Sequence, residues 1–228
     1  MSELNIGVVI YPRVDQIDVT GPFEVFSRIP GAKVHVIARN LTPVRDVQGL
    51  ILTPEVLLAA APRLDVLHVP GGYGQEAMMD DEPVLSFIRQ QMNSGRYVFS
   101  VCTGALICGA AGILRGRRAT THWTAFDLLP YFGAIPVDSR VVIDGNLVSA
   151  AGVTSGIDGA LVLTSLMAGE ETARRIQLAI EYAPEPPFDS GTPKTASPEV
   201  LKVVTAAGQG MKDARIATAK RIAAKLGI

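Results

Sequence analysis

The sequence is short of charged residues and has no marked excess of either sign. Charged residues make up 19% of its 228 positions and the formal net charge is -1. Proteins that bind the phosphate backbone carry a basic surface, so nucleic acid is not an expected partner. No apolar run approaches the roughly 20 residues that cross a bilayer, and no basic stretch precedes the short apolar run near the N-terminus. We therefore expect a cytoplasmic protein that does not enter membranes and binds a small molecule.

Cysteine and histidine are also scarce, which restricts the possible chemistry. Cys102 and Cys108 are the two cysteines, six positions apart in what is predicted to be one helix, too few for a disulfide scaffold, so both thiols are expected to be free. His35 and His68 lie in apolar strands and are predicted to be structural. His122 follows a short strand, but no acid near it in sequence orients it as a base. No spacing suits a metal, so neither a metal nor another cofactor is expected.

Short apolar runs alternate with helical segments over the first hundred residues. Runs that are apolar at every position are typical of parallel strands buried on both faces. The predicted strands are 6–10, 34–37, 66–69 and 97–101, and crossover helices are predicted near 22–28 and 83–93. This alternation predicts a doubly wound α/β fold, whose ligands bind beyond the carboxyl ends of the strands.

The second half of the sequence predicts a hairpin, a loop and a long terminal helix. Asp144-Gly145-Asn146 separates two apolar runs, 140–143 and 147–150, as in antiparallel hairpins. A Pro- and Gly-rich loop is predicted at 183–193, and Ser197 caps the helix that follows. We expect one α/β domain at 1–195, with 196–228 as its helical extension. The extension is predicted to support a dimer or a lid, because apolar residues recur at helical spacing at Leu201, Val204, Met211 and Ile216.

The sharpest local signal is Ser100-Val101-Cys102-Thr103-Gly104-Ala105, which joins a predicted strand to a helix. A nucleophile on such a turn projects from the sheet edge towards unpaired N–H groups, which favour a thiolate. A cysteine at this position can equally be a small buried hydrophobic residue. Cys108, inside the helix, is predicted to be such a core residue.

Two further segments end at the same sheet edge. Gly71 and Gly72 follow a strand in Val69-Pro70-Gly71-Gly72-Tyr73-Gly74, and their N–H groups can complete an anion site with the amide of Thr103, although Gly-Gly is more often only a turn. Asp18, between Ile17 and Val19, begins the first crossover helix. It is either a helix cap or a carboxyl whose raised pKa keeps it protonated beside the thiolate.

The sequence resembles the DJ-1/PfpI superfamily along nearly its whole length, and within it the isocyanide hydratase branch. The motifs that carry the resemblance are DVTGPFEVF, VPGGYG, SVCTGALICGAAGILRGRRATTHW, VVIDGNLVSAAGVTSGIDGAL and EYAPEPPFDSG. The elbow and the Gly-Gly loop are shared across the superfamily. The aspartate at 18, in place of the usual glutamate, and the Pro-rich loop resemble the hydratase branch.

The resemblance implies a flavodoxin-like sandwich with a mostly parallel sheet, class I glutamine amidotransferase-like, assembled as a homodimer. It implies Cys102 as nucleophile, Asp18 as acid, Thr103 as a further catalytic residue, and substrate binding at Gly71 and Gly72. The implied reaction adds water to an isocyanide through a Cys102 thioimidate and yields an N-substituted formamide, with no cofactor. The alternatives are a glyoxalase or deglycase and a redox-sensing chaperone. A transcription regulator is disfavoured, because about thirty residues follow the late loop, too few for two helix-turn-helix units.

Overall fold

A computed structural model describes residues 4–228, which form a seven-stranded sheet between two layers of helices. The strands are β1 (Leu4–Val9), β2 (Ala32–Ala38), β3 (Val44–Arg45), β4 (Ile51–Leu52), β5 (Val56–Leu57), β6 (Val66–Val69), β7 (Tyr97–Val101), β8 (Arg118–Ala119), β9 (Ile135–Pro136), β10 (Val141–Asp144) and β11 (Leu147–Ala150). The α-helices are α1 (Gln16–Phe26), α2 (Gln75–Met78), α3 (Glu82–Ser94), α4 (Gly104–Ala110), α5 (Ser155–Ala168), α6 (Glu170–Ala179) and α7 (Pro198–Leu226), and 3-10 helices span Leu58–Ala60 and Trp123–Phe132.

The main sheet has the strand order β10-β11-β7-β6-β1-β2-β5. Its neighbours pair in parallel except β10 and β11, which form the predicted antiparallel hairpin around Gly145. The predicted bounds of β6 and β7 agree with the structure, and the α/β prediction is confirmed. Because β1, β6 and β7 are adjacent and parallel, their carboxyl ends bring three loops to one edge.

Each face of the sheet covers its own apolar core. One core includes Leu67, Leu106 and Phe132 and lies on the side of α3, α4 and α7. The other includes Phe26, Phe99 and Leu163 and lies on the side of α1, α5 and α6. Strands buried on both faces must be apolar at successive positions, which explains why these strands lack an alternating pattern.

Helix α1 begins earlier than the sequence predicts. The sequence places Pro22 near the start of a helix at 22–28, but in the structure this proline lies in the interior of α1. The helix begins after Asp15, whose Oδ1 accepts the N–H groups of Ile17 at 3.0 Å and Asp18 at 3.4 Å. The consequence is that Asp18 lies in the first turn of α1, as the sequence predicts, and is fully buried.

Helix α7 begins at the predicted cap, where Ser197 Oγ accepts the N–H of Val200 at 3.3 Å. Its buried face differs from the predicted one and consists of Arg215, Ala219, Ile222 and Ala223. The first turns extend past the core and leave Val200, Val203 and Val204 exposed. Within residues 4–228, no helix is both long enough and apolar enough to cross a membrane.

Candidate active site

Cys102 lies on a sharp turn between β7 and α4. Its φ of 54° is in the left-handed region, which non-glycine residues rarely adopt, and its N–H donates to the carbonyl of Ala150 at 3.1 Å. Gly104 allows this turn, because a Cβ at that position would lie 2.1 Å from the carbonyl oxygen of Val69. Cys102 therefore lies on a sharp strand-to-helix turn. The prediction that both cysteines share one helix is wrong: Cys102 precedes α4 and only Cys108 lies within it.

The Gly-Gly loop after β6 is hydrogen-bonded to the segment before α1. Gly71 accepts the N–H of Asp15 through its carbonyl at 2.9 Å, and Gly72 pairs with Val14 in an antiparallel bridge. Gly72 has a φ of 127°, and a Cβ there would lie 2.5 Å from Arg13 O, so only glycine fits. The loop is thus fixed at the sheet edge.

The two loop amides already have partners. Gly71 N–H donates to Asp18 Oδ2 at 2.7 Å, and Gly72 N–H donates to Thr103 Oγ1 at 3.1 Å. The Thr103 hydroxyl in turn donates to Gly72 O at 3.3 Å. The loop therefore orients the side chains of Asp18 and Thr103.

Asp18 is a buried carboxyl beside that thiol. Burial is the largest cause that raises its pKa well above the ordinary value, and the nearby charge of Asp15 adds to the rise. Hydrogen bonding from the Gly71 amide and, more weakly, from Cys102 opposes it. Oδ1 makes no hydrogen bond of normal geometry within residues 4–228. A carboxyl in this setting favours its protonated form.

Burial and the neighbouring Asp18 charge raise the pKa of the Cys102 thiol well above its ordinary value. The backbone amide of Thr103 and the charge of Arg215 act in the opposite direction. Because an ionised Asp18 disfavours the thiolate, a proton on Asp18 and a negative charge on Cys102 support each other. Cys108 has no such surroundings, and burial raises its pKa to about 12.

A cavity of about 350 Å³ opens over Cys102 and Thr103, within the size range of small-molecule sites. Trp123 and Val153 contribute apolar wall, and Asp18 lies buried behind Cys102. The opposite wall comes from α7, with Val204, Ala207, Gly208, Met211, Lys212 and Arg215. The terminal helix therefore forms one wall of this cavity.

His122 also lines this cavity, but its ring caps the 3-10 helix at Trp123–Phe132. Its Nδ1 lies 2.8 Å from Thr124 Oγ1 and accepts the Thr124 N–H at 3.3 Å. Burial, with the charge of Arg215, lowers its pKa to about 4, so the ring is neutral near pH 7. No carboxylate bonds to it in the described part of the chain, so its observed contacts are those of a helix cap.

The residues singled out from the sequence, Cys102, Asp18, Thr103, Gly71 and Gly72, all meet at one sheet edge in the structure. The sequence did not reveal the cavity wall from α7, above all Arg215, because a buried arginine in a long polar helix has no pattern that sets it apart. It also did not reveal the contact of His68 with Asp18. Among residues 4–228, no three metal-ligating side chains form a group.

These features define an α/β sandwich with a cysteine on a sharp strand-to-helix turn and a buried acid beside it. The model of the DJ-1/PfpI family matches residues 5–165, and the chain belongs to that family. It is 48% identical over 225 residues to an isonitrile hydratase from Pseudomonas putida, with 99% of each chain covered.

Two other comparisons extend this picture. The crystal structure of a THiJ/PfpI family protein from Pseudomonas syringae superposes with a TM-score of 0.92 at 37% identity, covering 98% of this chain and 91% of the other. A glutathione-independent glyoxalase from Caenorhabditis elegans is 25% identical over 175 residues, with 75% and 93% covered. The similarity to the hydratase is therefore higher in both identity and extent.

Proposed function

We propose that this protein is an isocyanide hydratase that converts an isocyanide to an N-substituted formamide. The observation that carries the proposal is the 48% identity to an isonitrile hydratase over 99% of both chains. The placement of Cys102 beside the buried carboxyl of Asp18 supports it, because the reaction needs a nucleophile and a proton donor at the same carbon.

In the first half of the reaction, the Cys102 thiolate attacks the terminal carbon of R–N≡C. Protonated Asp18 gives its proton to that carbon, which leaves a thioimidate, R–N=CH–S, on the enzyme and a carboxylate on Asp18. The Gly71 amide stabilises this carboxylate through Oδ2, while Oδ1 makes no hydrogen bond of normal geometry among residues 4–228. The free oxygen is therefore the one that exchanges the proton.

In the second half, the Asp18 carboxylate takes one proton from water as the water oxygen adds to the same carbon. Collapse of the adduct breaks the C–S bond and expels the thiolate, and the second water proton ends on the formamide nitrogen. Thr103 orients the substrate or the water through the hydroxyl that Gly72 positions. The cycle returns Asp18 protonated and Cys102 ionised, and no external oxidant or reductant is used.

Mass spectrometry during turnover of a simple isocyanide tests this proposal. The expected result is a thioimidate on Cys102 that disappears as the substrate is exhausted, together with formamide in solution. An assay with methylglyoxal under the same conditions tests the glyoxalase alternative. Lactate without formamide would replace the hydratase proposal by the glyoxalase one.

We also infer a cytoplasmic homodimer in which 196–228 remains part of the single domain. Three apolar side chains in the first turns of α7 support this assembly: Val200, Val203 and Val204 are 47%, 68% and 48% exposed. Positions 200, 203 and 204 lie on one helix face, so a second chain can cover them together. Val204 also lines the cavity, which makes a partner there continuous with the binding site.

A further inference from the structure

Arg215 places a buried guanidinium in the wall of the Cys102 cavity. The residue is only 6% exposed. Its Nε donates to Gln75 Oε1 at 2.6 Å. Within the described ranges, its Nη1 and Nη2 form neither a hydrogen bond nor an ion pair, and neither atom is fully buried. An arginine without an anionic partner is expensive to bury, so this arrangement needs an explanation.

Gln75 links Arg215 to the carboxylate of Glu76. Gln75 is fully buried, and its Nε2 donates to Glu76 Oε2 at 3.0 Å while its Oε1 accepts from Arg215. The amide thus stands between the two charges and holds the guanidinium by one edge. The remaining edge, with both terminal nitrogens, is left for another group.

The other charges of the cavity wall are already engaged. Lys212 lies 2.8 Å from a carboxylate oxygen of Asp127, and Asp15 caps α1. His122 is neutral near pH 7, because burial lowers its pKa. Tyr73 also lines the wall, but its ring lies under the guanidinium of Arg13. Arg215 is therefore the one positively charged lining side chain, among the described residues, with no carboxylate bonded to it.

The free edge of a guanidinium matches a carboxylate, which it binds through two parallel N–H···O bonds. The Cys102 sulfur cannot take the place of such a carboxylate, because a single atom cannot accept both N–H···O bonds. No hydrogen bond joins it to Arg215 in the described part of the chain. The cavity of about 350 Å³ has room for an isocyanide with a short acidic substituent. Such a ligand would present its carbon to the thiol and its anionic end to the α7 wall.

We propose that the site is specific for isocyanides that carry a carboxylate, and that Arg215 binds this carboxylate while the terminal carbon meets Cys102. This inference rests on the proposed hydratase function. It assigns Arg215 to substrate recognition and does not change the roles proposed for Cys102 and Asp18.

The test compares isocyanoacetate with its methyl ester, which has the same isocyano group but no charge. The expected result is a higher kcat/KM for isocyanoacetate in the wild type. Arg215→Gln should lower the ratio of the two kcat/KM values roughly 10- to 100-fold, as expected for one charged hydrogen-bonded pair. Arg215→Lys should retain part of the ratio. Arg221→Gln is the matched control, because Arg221 is an exposed arginine of the same helix that pairs with Asp80.

Equal kcat/KM values for the two substrates in the wild type would overturn the inference without using any variant. An equal loss of kcat/KM on both substrates in Arg215→Gln would also overturn the inference. It would indicate that Arg215 stabilises the Cys102 thiolate. If neither isocyanide is hydrated, the proposed function itself fails. Calorimetry with N-formylglycine and N-formylglycinamide then tests the anion site alone. The inference requires that N-formylglycine bind more tightly than N-formylglycinamide, and that this difference disappear in Arg215→Gln.

Discussion

The carbonyl oxygen of Asp18 lies 2.7 Å from Nε2 of His68, a ring in the neighbouring strand β6. In a regular helix this oxygen would accept the N–H of residue 22, but residue 22 is a proline and has none. Burial lowers the pKa of His68 to about 4, so the neutral ring carries one proton, and the short contact assigns it to Nε2. Pro22 and His68 together attach the turn that carries Asp18 to the sheet.

Replacing His68 by leucine should loosen this attachment. The Asp18 carbonyl would lose its partner while still buried, which costs about 1–3 kcal/mol of unfolding free energy. We expect kcat to fall as well, because the acid is no longer fixed beside Cys102. Urea denaturation and formamide production measure the two effects. His35→Leu is the control: it changes a buried strand histidine that contacts Asn5, away from the cavity, and should lower stability without lowering kcat.

Substitution of Asp18 tests whether its carboxyl transfers a proton in the reaction. Asn keeps the shape and can accept the Gly71 N–H, but it cannot exchange a proton, so turnover should fall by roughly 10²-fold or more. Glu, which moves the carboxyl by one methylene, should be impaired but measurable. Steady-state formamide formation gives both values. Near-normal hydration by a folded Asp18→Asn protein would contradict the assigned role.

The same substitution should change how stability depends on pH. The pKa of Asp18 is raised in the folded protein above its ordinary value of 3.8, so the folded state holds the proton more tightly than the unfolded state. Stability from this group is therefore complete below pH 3.8 and is lost as pH rises through the folded pKa. The unfolding free energy of Asp18→Asn, relative to wild type, should increase with pH above 3.8. A difference that stays constant with pH would exclude a raised pKa.

Cys102 and Cys108 form a matched pair, since both are buried and differ in their surroundings. Cys102→Ala should abolish hydration and the covalent adduct while the protein remains folded. Cys108→Ala should stay active, because this thiol lies in the core and does not line the cavity that contains Cys102. Formamide assays and intact-mass spectra separate the two. Loss of activity in Cys108→Ala alone would reverse the assignment.

Gly71 is enclosed by Thr103 and Asp18, two residues of the proposed mechanism. A Cβ there would lie 2.5 Å from Thr103 N and 2.9 Å from Asp18 Oδ2, closer than real contacts allow. We expect Gly71→Ala to displace the acid from the elbow and to lower kcat at least about 10-fold, a loss typical of misplaced catalytic groups. Gly191→Ala, at a position with nothing within 4 Å, should match the wild type in both kcat and stability.

The inferred dimer can be tested at Val203, the most exposed of the three valines on α7. Val203→Asp places a charge on that face and should shift the protein towards monomer in sedimentation experiments. Ala214→Asp is the matched control, because Ala214 is also exposed and lies on the same helix, away from the three valines in sequence. It should leave the sedimentation coefficient unchanged. A wild-type monomer, or a Val203→Asp dimer, would remove α7 from the interface.

The sequence predicts the parts of this fold in which burial alone determines the pattern of apolar residues. The strands at 66–69 and 97–101 are apolar at nearly every position, and their bounds follow directly. The helical stretch predicted near 22–28 covers only the second half of α1, which contains Pro22 in its interior. The carbonyl of Asp18 that this proline leaves without an N–H partner is bonded by His68 of β6, a contact that sequence spacing does not indicate. Arg215 has no sequence signal for a related reason: its role depends on contacts with Gln75 and the cavity that arise only when α7 folds back over the sheet.

The groups proposed to react and part of the cavity wall lie in different parts of the chain. Cys102 and Asp18 fall inside the stretch matched by the family model, 5–165, whereas α7 spans Pro198–Leu226 and lies beyond it. Substitutions on the inner side of α7 can therefore alter which molecule fits without disturbing the acid or the thiol. In evolutionary terms, a lineage with this architecture can acquire new substrates by changing a peripheral helix while its reaction chemistry is inherited intact.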